Sequence, residues 1–159
     1  MNKLNENQLI KLLSFRDEDV ISRFVDMFDV SEIEAQDILL ETLKFMYISQ
    51  IPGVFISDDL LIIDEMWHNL ILFTPLYHKI SSEYLGISYF HHIPASKKEK
   101  AQMKKNVINN PDKAREQYLH KLEFLLSTAY DYLGAETVEK WFKIYPKKYS
   151  RDNIKKLRK

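Results

Sequence analysis

Only three glycines and five prolines interrupt 159 residues, and this scarcity narrows the possible folds more than any motif does. Loop-rich and many-stranded folds need frequent turn residues, which glycine and proline supply best. Helices need few. Apolar side chains recur at helical spacing through nearly every segment. Leu9, Ile10, Leu12 and Leu13 mark a first short helix. Asp17, Glu18 and Asp19 place acids in the first turn of a second, where the helix dipole favours them. Val20, Ile21, Phe24, Val25 and Phe28 follow on one face. The expectation is one all-α domain of six or seven helices.

Helix punctuation supports this division. Ser31-x-x-Glu34 and Ser96-x-x-Glu99 are capping-box patterns. The first opens a longer helix carrying Ile33, Ile38, Leu39, Thr42, Leu43, Phe45 and Met46, closed by Pro52-Gly53. Ser57-Asp58-Asp59 is expected to cap a helix over 60–73, and Thr74-Pro75 to open another that stops at Gly86. Residues 87–94 are aromatic and non-helical in pattern, so an extended segment is expected there. Asn110-Pro111 starts a long helix ending at Gly134. A shorter one carries Val138, Trp141 and Phe142 and should stop before Pro146. The domain is drawn as 1–146, with a basic C-terminal tail over 147–159. No repeat or low-complexity linker divides the chain.

Composition excludes several chemistries. There is no cysteine, so disulfides and thiolate metal sites are ruled out. Three glycines leave no room for a phosphate-cradling loop, and no Gly-x-Ser-x-Gly elbow is present. No apolar run approaches the ~20 residues of a membrane helix. Met1 to Glu6 lacks the basic and apolar regions of a signal peptide, so the cytoplasm is the default compartment. The zero net charge hides a split. Residues 1–66 hold 5 Lys/Arg against 14 Asp/Glu, and residues 67–159 hold 18 against 9. Such a split either helps the halves pack or marks a basic surface for an acidic protein partner. The tail from Lys147 reads as a solvated terminus more readily than as a nucleic-acid surface.

Four of the five histidines lie between positions 68 and 92. His68 follows Asp64 by one helical turn, so both project from one helix face. Imidazole and carboxylate suit zinc or iron without a thiolate. His91 and His92 are the available further ligands. Neighbouring side chains in an extended segment point to opposite faces, so one of the pair is expected to reach the Asp64–His68 face. Asp64, His68 and one histidine would form a 2-His-1-carboxylate site with open positions. Glu65 is a possible base beside a metal-bound water, against a plainer reading as a solvent-facing acid. His78 and His120 read as helix-surface residues. The aromatics Tyr84, Tyr89, Phe90, Tyr130, Tyr132, Trp141, Phe142 and Tyr145 read mainly as core, with pocket lining as the other option. Two functional readings follow. One is a divalent-metal site, zinc or iron, supporting hydrolysis or oxidation. The other is a non-enzymatic adaptor whose histidines form a structural hydrogen-bond network.

Asp64-Glu65-x-Trp67-His68-x-x-Ile71-Leu72-x-Thr74-x-x-Tyr77, followed by His91-His92-x-Pro94, resembles small bacterial relatives of the plant glycine-rich domain-containing proteins. Tyr130-x-x-Leu133-Gly134-x-x-Thr137-x-x-x-Trp141 resembles the stretch that closes the same domain. The similarity covers roughly residues 40–142 in outline. It implies a mainly helical domain and no particular reaction. Asp64, Trp67, His68, His91, His92 and Pro94 match the motif. Plant members often carry a second histidine two positions after the first, where this chain has Leu70. A His-x-His ligand pair is thus absent, and any metal depends on the His91-His92 loop.

Overall fold

Two central helices, α3 (Glu32–Ile48) and α4 (Leu61–Ile71), share the most extensive helix–helix contact. In the computed structural model, which describes residues 4–88 and 90–159, they are buried by α1 (Glu6–Leu13), α2 (Glu18–Met27) and the C-terminal elements. Ten residues of α3 are buried, on every side of the helix. That is the pattern of a helix enclosed all round by core. A short 3₁₀ turn, Asp58–Leu60, leads into α4. Next come α5 (Thr74–Lys79), α6 (Lys97–Asn109), α7 (Pro111–Leu133), α8 (Ala135–Glu139), α9 (Tyr145–Lys148) and α10 (Arg151–Leu157). Since α8 and α9 join through a wide π turn, Lys140–Ile144, the described residues form nine helical rods and no strand. No helix among them is long and apolar enough to cross a membrane.

Most starts and stops follow the local chemistry. Asp17 caps α2, Ser31 caps α3 and Asn110 caps α7, each accepting a backbone N–H from the first turn. Ser96 and Glu99 form the full reciprocal box at α6. Ser57 makes no capping bond, and the 3₁₀ turn takes the place of the expected cap. Thr74 is the first residue of α5, with Phe73 before it, rather than the cap itself. After α5 the helix widens into a π turn, Ile80–Tyr84. The Ser81 and Ser82 hydroxyls each donate to the carbonyl four residues back, at 2.9 Å. Such back-bonding competes with the helical ladder and bends it. Gly86, at φ +66°, then turns the chain. A second widening explains why the segment expected to stop before Pro146 runs to Lys148. The π turn precedes the proline, whose missing N–H would break a regular helix.

The sequence boundary at 146 is not a boundary in the packing. Tyr149 and Ile154 are buried, and α10 returns the chain to α2. Asp29 N–H donates to Leu157 O at 2.7 Å, and Lys159 N–H to Met27 O at 2.9 Å. Part of the charge split is met inside the molecule, by three cations of the basic half. Lys140 meets Asp37 at 2.7 Å and Glu41 at 3.2 Å, Lys148 meets Glu34 at 3.1 Å, and Arg158 meets Glu65 at 2.7 Å.

Glu41 is the most enclosed of these acids, 3% exposed. It accepts from the Trp141 indole at 2.6 Å and from Lys44 at 2.8 Å. Tyr145 and Tyr149 lie beside it, their hydroxyls facing Asp37 and Glu34. Burial pushes both phenols well above the usual tyrosine range. The Glu41 and Asp37 charges add to this for Tyr145, and the Glu34 hydrogen bond adds to it for Tyr149. Glu41→Ala leaves Lys44, Lys140 and the indole N–H without their shared acceptor. The expected loss is about 3–5 kcal/mol of unfolding free energy, measured by urea denaturation. Below pH ~10 the folded and unfolded states both keep the phenol protons. Above it only the unfolded chain releases them, so stability falls as pH rises, by up to about 1.4 kcal/mol per pH unit for each tyrosine. Tyr145→Phe with Tyr149→Phe should flatten that alkaline decline in thermal melts.

Candidate metal centre

The backbone of α4 carries the first half of the site. Asp64 and His68 sit one turn apart, with Trp67 between them pointing into the core at 3% exposure. Asn69 anchors the other side of the helix. It donates to Val20 O at 2.9 Å and accepts from Arg23 at 2.7 Å. The face bearing Asp64 and His68 is thereby held in register against α2.

The second half comes from the segment between the π turn and α6. Residues 90–96 have no regular secondary structure, and burial alternates over 90–92 before the chain runs exposed from 93 to 96. Phe90 is buried, His91 exposed and His92 half-buried. The Tyr77 hydroxyl fixes this stretch. It accepts from the Trp67 indole N–H at 3.0 Å and donates to Phe90 O at 2.6 Å. The Trp67 ring lies between Phe45, Phe90 and His92, with centroids at 5.8, 5.4 and 4.4 Å. His92 is therefore packed on the indole before any ligand is considered.

The result is a three-residue cluster. His92 Nε2 lies 3.2 Å from Asp64 Oδ1 and 3.1 Å from His68 Nε2. His68 Nδ1 is 3.7 Å from Asp64 Oδ2. One ligand atom from each of the three residues lies within 4.8 Å of the others. Two imidazole nitrogens facing each other at 3.1 Å need something between them. That is either a proton on one of them or a cation that both ligate. Ligands about 2.0–2.1 Å from a tetrahedral zinc lie roughly 3.3 Å apart, close to the separations His92 makes. The N₂O donor set also suits zinc or iron.

Of the four proposed ligands, the structure gathers Asp64, His68 and His92. His91 lies outside that group, although it lines the same cleft. Glu65 is directed elsewhere, held by Arg158 at 2.7 Å, so it is neither a base at the cluster nor a merely solvated acid. His78 and His120 are on exposed helix surface. Of the eight aromatics, Phe90, Trp141 and Tyr145 are buried, Tyr130 is 57% exposed, and Tyr89 lies outside the described residues. Sequence reasoning missed the Tyr77 hydroxyl as an organiser of the site.

The cluster stands at the mouth of a cleft of about 680 Å³, whose walls include Phe45, Val54, Phe55, Ile56 and Phe90. Exposure of the ligand side chains is graded: His68 55%, Asp64 32% and His92 15%. His92 is the most enclosed of the three and His68 the most open. No known family, curated protein or solved structure matches this chain.

Tyr77→Phe removes the hydroxyl while keeping the ring. It strands the buried Trp67 N–H and Phe90 C=O. The expected cost is about 1–3 kcal/mol in urea unfolding, with increased mobility of the His92 ring signals in NMR spectra.

Proposed function

We propose that this protein is a mononuclear divalent-metal protein of the catalytic type, in which Asp64, His68 and His92 ligate zinc or iron. The observation that carries the reading is the approach of His92 Nε2 to both Asp64 Oδ1 and His68 Nε2 at 3.1–3.2 Å, beside a cleft. Three protein ligands leave positions open for water and substrate, as catalytic sites do and closed structural sites do not. A metal there lowers the pKa of a bound water and polarises a bound oxygen. Zinc would direct the site to hydrolysis, and iron to oxidation through the 2-His-1-carboxylate arrangement. The Asp-x-x-Trp-His and His-His-x-Pro motifs support membership of the glycine-rich domain-like group. In this reading Trp67 and Tyr77 are the supports that hold the second histidine in place.

A second reading has one observation in its favour. α6 is rich in lysine and has no buried residue, as a helix reserved for an acidic protein partner would be. The protein is then an adaptor, and the His68–His92–Asp64 contacts are a clasp for the loop that leads into α6.

Metal titration separates the two readings. Untagged protein stripped with chelator should bind close to one equivalent of Zn(II) or Fe(II) by calorimetry. At a free metal concentration one hundred times Kd, binding adds about 2.7 kcal/mol of stability, or roughly 5–11 °C in melting temperature for a chain of this size. Asp64→Ala and His92→Ala should remove most of the shift at that metal concentration while still loading at excess metal, and His91→Ala should retain the whole of it. Absence of binding and of any metal-dependent shift in the wild type would leave the clasp as the function of these histidines.

A further inference from the structure

The cleft beside the cluster carries information about what the open coordination positions receive. Among the described residues that line it there is no lysine or arginine, and its only carboxylate is the ligand Asp64. Polyanion sites are built from Arg and Lys, which neutralise phosphate oxygens and hydrogen-bond to them. This cleft has none of that. Its walls are Phe45, Val54, Phe55 and Phe90, with Ile93 and Pro94 at the rim. Ile93 is 80% exposed, an apolar side chain left in water beside the metal ligands. The volume, about 680 Å³, falls within the range of about 300–1,000 Å³ typical of small-molecule sites.

Charge sets the other half of the ligand. A divalent ion held by one carboxylate and two neutral imidazoles carries a single net positive charge. A ligand bringing one negative oxygen head to the open positions cancels it without any further protein cation. A dianion would leave excess negative charge against mostly apolar walls, with Ser49 and His91, and no lysine or arginine, among the described lining residues to offset the desolvation cost.

We infer that the cleft takes a small monocarboxylate with an apolar body, an alkyl or aryl acid whose carboxylate sits on the metal and whose body lies against Phe45, Phe55, Phe90 and Ile93. This rests on the metal-site reading above and names its substrate class. Phe55 and Ile93 are then the specificity-determining contacts. Phe55 comes from the segment between α3 and α4, and its ring packs edge-on against Tyr118 of α7 at 6.1 Å. The body-binding wall is thus braced by a helix that contributes nothing to the metal.

The test is a homologous series titrated into Zn(II)-loaded protein by calorimetry: acetate, butyrate, hexanoate and octanoate, with inorganic phosphate and diphosphate as contrasts. Affinity should rise about fourfold per added methylene, so that octanoate binds roughly 200-fold more tightly than butyrate. Phosphate and diphosphate should bind more weakly than octanoate. The Co(II)-loaded protein should change its visible spectrum on adding octanoate, reporting a carboxylate on the metal. Ile93→Ser, at an exposed position with little bearing on folding, should reduce the gain per methylene and leave zinc affinity unchanged. Phe55→Ala should do the same more strongly. If the protein binds no metal, this inference falls together with the metal reading. If it binds zinc but affinity stays flat along the series, or diphosphate outcompetes octanoate, the inference falls alone. Equal octanoate affinity in zinc-free His68→Ala protein also overturns it, since the carboxylate would then not be on the metal.

Discussion

The Tyr77 hydroxyl is buried between two groups that both need it, the indole N–H of Trp67 and the carbonyl of Phe90. Buried polar groups of this kind cost about 1–3 kcal/mol each when unpaired, so the three-part contact holds α4, α5 and the histidine loop in one arrangement. Trp67 is the hinge of that arrangement. Its ring packs against Phe45 on one side and against Phe90 and His92 on the other. Trp67, between Asp64 and His68 on α4, is therefore also the platform for His92. A site assembled this way is positioned by core packing, and its geometry is in place whether or not a ligand is present.

The rest of the molecule serves that core in a less direct way. Arg158, just past α10, holds Glu65, and Asp64 is the carboxylate of α4 gathered with the histidines. Intramolecular pairs join acids of α3 and α4 to Lys140, Lys148 and Arg158 of the C-terminal segment. The Glu41 network ties Trp141 and Lys140 to α3, and Trp141 in turn packs on Phe45 at 5.7 Å. One line of aromatic contacts thus runs from the C-terminal rod through Phe45 and Trp67 to His92.

Much of this was legible in the sequence, for identifiable reasons. Helical spacing and the helix starts at Ser31, Ser96 and Asn110 depend on near neighbours, and the structure follows them, while Asp17 proves to be the cap of α2 and not part of its first turn. The shared face of Asp64 and His68 follows from the pitch of a helix. The identity of the third ligand was within reach as well. Side chains two apart share a side in a non-helical stretch, so a buried Phe90 implies an inward His92 and an outward His91. What sequence could not supply was contact between distant elements. The Tyr77–Phe90 bond, the Arg158–Glu65 pair and the folding of residues 147–159 onto α2 join segments separated by 13 to 134 positions. No local pattern encodes them. Pro146 misled for a related reason, because a π turn just before it absorbs the break.

The central claim is that Asp64, His68 and His92 share one cation. X-ray absorption at the metal edge of the stoichiometrically loaded protein tests this directly. The account predicts a first shell of nitrogen and oxygen at about 2.0–2.2 Å, with outer-shell scattering from two imidazoles that falls to one in His92→Ala. A first shell without imidazole scattering, or one unchanged by His92→Ala, would contradict it.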